Sequence, residues 1–164
     1  MSGLQKQQFG TQNPQSLQVT IGPSFTQLTL EVDKREYRRI KLVDTAGQEK
    51  YMSLAPQVIR QCEAVILVFD VTNTQSYEEV STWMKLVKDT CSDDTILYLC
   101  ANKIDLQDHV KVDPSMVHAL KTELDLDGVY STSAVTGQNV LELLKSIVNL
   151  LDKRKYSQLL NDKS

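Results

Sequence analysis

Three cysteines and two histidines are all that this 164-residue chain offers to soft-metal or redox chemistry. Cys62, Cys91 and Cys100 are odd in number and lack C-x-x-C spacing, so they encode neither a disulfide framework nor a zinc module. They read as reduced, structural cysteines. His109 and His118 have no cluster of acids or cysteines beside them and read as solvated surface. Basic excess is also lacking: a net charge of −3 argues against a domain that grips nucleic acid by its phosphates, which needs a basic face. The longest apolar stretch, Ala64 to Phe69, is far short of the roughly 20 residues that cross a bilayer. Met1–Gly10 carries no signal-peptide h-region. No internal repeat and no linker marks off a second domain. The remainder, 41% hydrophobic and 24% charged, is ordinary for one soluble domain with one substantial core.

The apolar pattern changes period along the chain. Phe25, Leu28, Leu30 and Val32 are the bulky members of an alternating strand. Asp33-Lys34-Arg35 then turns it into a second strand, Tyr37 to Val43, which predicts an antiparallel hairpin. Ala64–Phe69 and Ile96–Ala101 are apolar without alternation, as parallel strands covered on both faces are; Gly128–Ser131 is a shorter one. Between them, Tyr77, Val80, Met84 and Val87 recur at helical spacing. Asp113-Pro114 opens a helix with an acceptor at the N-cap and proline at N1, and Val117, Leu120 and Leu124 form its stripe. The last helix has one continuous face of Val140, Leu143, Leu144, Ile147, Leu150 and Leu151. Helices alternating with buried strands predict an α/β fold with a mostly parallel sheet. Ligands of such sheets bind beyond the carboxyl ends of the strands, where Asp44, Asn102 and Ser133 would gather.

Three short motifs follow predicted strands. Asp44-Thr45-Ala46-Gly47-Gln48-Glu49 contains D-x-x-G, which alone is a common strand-ending turn. Asn102-Lys103-Ile104-Asp105 has a carboxylate suited to guanine, whose N1–H and N2 amino group are adjacent donors that one carboxylate accepts in a fork. Adenine lacks that pair and would leave a buried acceptor unsatisfied. Ser131-Thr132-Ser133-Ala134 is built of small residues that let backbone N–H groups near Ala134 approach a base oxygen. Taken singly, each is also an ordinary polar turn.

Their order and their placement after strands resemble the Ras superfamily of small GTPases, most nearly its Rab branch, from about Ser2 to Leu151. The resemblance implies a P-loop NTPase-type fold and binding of GTP or GDP with Mg²⁺. It assigns the nucleotide to Thr20, Asp44, Gly47, Asn102, Lys103, Asp105, Ser133 and Ala134, and the metal to Ser2, Thr20 and Asp44. Gln48 fits the residue that orients the attacking water. Phe25, Val43 and Tyr51 match the surface that meets Rab-type effectors and regulators, although most Rabs carry an aromatic residue where Val43 stands. Tyr51–Pro56 is similar to the endosomal subgroup, which implies a cytoplasmic protein peripheral to endosomal membranes. The C-terminus Asn161–Ser164 lacks the prenylated cysteine of Rabs, so no stable membrane anchor is expected of this chain.

The family's phosphate loop, G-x-x-x-x-G-K-[ST], occurs nowhere in the chain. Aligned on Thr20, the chain is expected to begin just after that loop, with the first strand absent as well. That strand normally lies between the one ending at Val43 and the one near Phe69, which would have to close up and pair or leave two open edges. The expected division is a poorly ordered remnant over 1–19, the truncated GTPase-like domain over 20–156 and a tail over 157–164. Weak nucleotide binding, negligible hydrolysis and marginal stability are expected to follow. Two readings compete: a Rab-like GTPase in vesicle traffic, impaired in this chain, and a non-enzymatic pseudo-GTPase that binds proteins. An unrelated α/β enzyme would need a catalytic constellation that the sequence does not show.

Overall fold

The computed structural model describes residues 24–33, 36–45 and 55–161. Ser2, Thr20, Gly47, Gln48 and Tyr51 lie outside the described residues, as do segment 1–19 and the turn residues Lys34 and Arg35.

Strands β1 (Ser24–Asp33) and β2 (Glu36–Asp44) form the antiparallel hairpin, with Phe25 opposite Val43, Leu28 opposite Ile40 and an irregularity between Glu31 and Asp33. The alternation buries Leu30 and half-buries Leu28 and Val32. Phe25, near the open end, is 57% exposed, and the Lys41 ammonium sits 4.2 Å from its ring centroid.

The second sheet is parallel, in the order β3 (Ala64–Asp70), β4 (Ile96–Asn102), β5 (Gly128–Ser131). Its apolar runs are continuous because both faces are covered. Leu67, Phe69, Leu99 and Ala101 pack on one face with Val80, Met84 and Val87 of α2 (Thr74–Thr90) and Val117 and Leu120 of α3 (Pro114–Leu124). Ile96, Tyr98 and Cys100 pack on the other with Leu143 and Ile147 of α4 (Val140–Asn161). Gly128 is required where β5 passes the Tyr98 ring: a Cβ there would come 2.3 Å from Tyr98 Cε1. The Tyr98 hydroxyl in turn meets Ser146 Oγ of α4 at 2.8 Å.

The helix starts follow the sequence signals. Asn73 caps α2 by accepting from the Gln75 and Ser76 amides, and Asp113 caps α3 by accepting from those of Ser115 and Met116. Two short elements were not legible from periodicity: a helix, α1 (Ala55–Ile59), and a 3₁₀ turn, Gln107–His109, each too brief to show a repeat. Helix α4 runs through much of the expected tail to Asn161, with Tyr156, Leu159 and Leu160 exposed.

The two sheets stay apart among the described residues, and β2 does not close up on β3. Ile96 N–H donates to Glu63 O at 3.0 Å and Val71 N–H to Asn102 O at 3.0 Å. Odd-numbered residues of β3 therefore carry the ladder to β4, and Ala64, Ile66 and Val68 turn their backbone groups away from it. Val68 is 59% exposed. The hairpin is tied to α4 by Arg38, whose Nη2 lies 3.1 Å from Asp152 Oδ2.

Candidate functional site

The carboxyl ends of β3, β4 and β5 meet in register: Asp70 lies opposite Asn102, and Ala101 opposite Ser131. The chain leaving β4 and the chain leaving β5 are locked together there. Asn102 Oδ1 accepts the Ala134 N–H at 3.0 Å and the Thr132 hydroxyl at 3.3 Å. Main-chain bonds repeat the tie, from Ile104 N–H to Thr132 O at 3.2 Å and from Thr132 N–H to Ala101 O at 2.8 Å. Behind them, Cys100 Sγ meets Thr132 Oγ1 at 3.0 Å, and burial pushes the Cys100 thiol up, keeping it protonated.

Lys103 turns the chain with φ at 68°, a left-handed conformation that costs a non-glycine residue about 1–3 kcal/mol and persists where neighbours over-determine it. Its ammonium reaches back to Asp70, with Nζ 2.6 Å from Oδ2. The other carboxylate oxygen of Asp70 accepts the Thr72 amide at 2.8 Å and hydroxyl at 2.7 Å. Burial works to raise the Asp70 carboxyl, but the Lys103 ammonium and the Thr72 donors outweigh it and hold the group below the usual carboxylate range.

Asp105 is exposed, yet it does not swing freely. The Ser133 hydroxyl donates to its Oδ1 at 2.5 Å, and Ser133 Oγ itself accepts the Thr136 N–H at 3.1 Å. Ser133 is fully buried at 0% exposure, so the donor that aims the carboxylate is itself fixed. The loop closes through Ser133 N–H to Gln138 O and Gly137 N–H to Ser133 O, with Gly137 at φ 79°. Among the described residues Asp105 Oδ2 accepts no hydrogen bond. One oxygen is anchored by Ser133 and the other takes no donor from the described residues, so both keep lone pairs for outside N–H donors.

The structure therefore brings together Asn102, Lys103, Asp105, Ser133 and Ala134. It refines one role: the Ala134 N–H is held by Asn102 in this state and would have to share that bond to reach a base oxygen. Sequence reasoning quoted Thr132 within its motif without giving it a role, and it did not single out Asp70. The signal for Asp70 was its place as the first charge after an apolar strand, level with Asn102.

Of the residues expected to face phosphate and metal, Asp44 is the one among the described residues, an exposed carboxylate at the end of β2. No group of three or more His, Cys, Asp or Glu side chains gathers to hold a metal among the described residues. One described carboxylate does not make a magnesium site. His109 and His118 are exposed, as expected.

The model of the Ras family matches residues 2–153. GTP-binding protein ypt5 of Schizosaccharomyces pombe is 35% identical over 133 residues, covering 80% of this chain and 63% of that protein. Ras-related protein Rab-44 of Homo sapiens is 36% identical over 136 residues, covering 82% of this chain and 13% of that protein. The chain thus spans less than two thirds of the length of either relative. With Asn102–Asp105 and Ser131–Ala134 in order at the ends of a parallel sheet, this chain belongs to the Ras family as a Rab-like small GTPase.

Proposed function

We propose that this chain recognises the guanine base of GTP or GDP through Asp105, holds the phosphates weakly and hydrolyses GTP negligibly. The observation that carries this reading is the Asp105 carboxylate, aimed by buried Ser133 beside the Asn102–Ala134 tie. In the proposal a guanine donates N1–H and N2–H to Asp105, and the Lys103 stem lies along the base. The 164 residues contain no glycine-rich loop to offer a succession of N–H groups and a lysine to the phosphates, so most of the usual phosphate affinity is missing. Gln48, Thr20 and Ser2 keep the assignments the resemblance gives them. The setting is vesicle traffic at the cytoplasmic face of endosomal membranes, supported by the Rab relatives and by Tyr51–Pro56. No described helix is long and apolar enough to cross a membrane.

Titration with a fluorescent GDP analogue tests the reading. Binding weaker than micromolar is expected, competed by guanosine but not by adenosine. Sub-micromolar affinity would remove the weak-phosphate proposal, and equal competition by adenosine would remove the base assignment.

A second reading, a protein-binding module without a nucleotide cycle, draws on the exposure of Phe25 beside Val43 at the open end of the hairpin. In it the Phe25, Val43 and Tyr51 surface engages Rab-type effectors whichever nucleotide is present. Partner binding that is unchanged by excess GTP or GDP distinguishes it.

A further inference from the structure

Cys62 and Cys91 belong to different elements and converge on one carbonyl. The Cys62 amide donates to Ile59 O at 3.0 Å, closing the end of α1, and its thiol donates to Val58 O at 3.4 Å. Cys91 is the C-cap residue of α2, and its thiol donates to that same Ile59 O at 3.4 Å. The two thiols thus rest on successive carbonyls of a single helix end, both half-buried and both free. Cys100 is buried among other residues, with its thiol on Thr132.

We propose that Cys62 and Cys91 are a redox-sensitive pair that closes reversibly into a disulfide, tying the end of α1 to the end of α2. The oxidant is a small-molecule disulfide of the glutathione type. One protein thiolate attacks a sulfur of that disulfide and expels one small thiolate. The second protein thiolate then attacks the mixed disulfide, forms the internal S–S bond and expels the other. The two protein thiols lose two electrons and two protons, and one external disulfide becomes two thiols.

The surroundings suit this order of events. Burial raises the Cys62 thiol and the Lys41 ammonium acts against it. Burial also raises Cys91, and an ionised Cys62 raises it further, so the thiolates form one at a time, as stepwise exchange requires. In a reducing compartment the bond is transient. Helix α1 precedes β3 in the chain, so closure fixes the end of α1 against the end of α2 without touching Asn102, Asp105 or Ser133.

The test uses the full chain, incubated natively with oxidised glutathione, quenched in acid and weighed intact. Wild type and Cys100→Ser are expected to lose about 2 Da, two hydrogens, reversibly with reductant. Cys62→Ser and Cys91→Ser are expected to keep a glutathione adduct instead. Peptide mapping of the wild type alone identifies the bonded pair if a variant fails to fold. An unchanged mass, stable adducts on both thiols, a bond that includes Cys100 or a covalent dimer would overturn the proposal. So would the same Cys62–Cys91 selectivity in concentrated urea, because the pairing would then owe nothing to the fold.

Discussion

The sheet edge formed by the loops after β4 and β5 and the β1–β2 hairpin, which the proposed function makes two halves of one site, are built to different standards. At the edge, Asn102, Thr132, Ser133 and Asp105 are bound to one another by side-chain and main-chain hydrogen bonds over a core in which Leu99 is 0% exposed. The hairpin buries one face only, anchors through Leu30 and reaches α4 through the exposed Arg38–Asp152 pair. Exposed ion pairs contribute little. The loops at the sheet edge are thus cross-tied, and Asp44 stands at the end of a less enclosed hairpin.

The contrast can be broken first in the cores. Leu99→Ala removes a side chain packed on both sides by rigid neighbours and should cost about 4 kcal/mol, whereas Leu30→Ala, under a hairpin free to settle, should cost about 2 kcal/mol. Urea unfolding of the two variants compares them directly. Equal losses would mean that the hairpin is as firmly packed as the parallel sheet.

Next comes the reader itself. Asp105→Asn replaces an acceptor pair with one donor and one acceptor, which matches xanthine, where an oxygen replaces the guanine amino group. Guanine nucleotide affinity should fall about 10–100-fold, the loss of charge-assisted hydrogen bonds, while xanthine nucleotide affinity rises. Competition binding with the two diphosphates gives the ratio, and an unchanged ratio would remove Asp105 from base recognition.

The smallest effect concerns Asp70. Its folded pKa lies below the unfolded value near 3.9, so its contribution is present above that pH and disappears as pH falls through the folded value. Asp70→Asn should therefore lower stability by less than about 1 kcal/mol at pH 7, and the difference should shrink in acid as the carboxylate protonates. A gap of the same size at pH 7 and in acid, measured by urea midpoints, would show that its charge is not what matters.

Much of this architecture was legible from local pattern. Period-two alternation marked β1, unbroken apolar runs marked β3 and β4, and Asp113-Pro114 marked the start of α3. Asn102, Asp105, Ser133 and Ala134 were singled out because guanine chemistry demands a carboxylate, and the structure places the four together. Helix α1 escaped because five residues hold no repeat. Ser2, Thr20, Gly47 and Gln48 rest on resemblance alone.

The sequence by itself determined which of the longer segments are helix and strand, which faces they bury and which family's motifs they carry, because each is written in residues close along the chain. Only the tertiary structure decided that Lys103 pairs with Asp70, that the Ala134 amide is held by Asn102, that β2 and β3 belong to separate sheets and that Cys62 and Cys91 share one carbonyl. Each is a meeting of groups brought together by packing and strand order. Hydrophobic periodicity tells a residue to turn inward but does not name the neighbour it will find there.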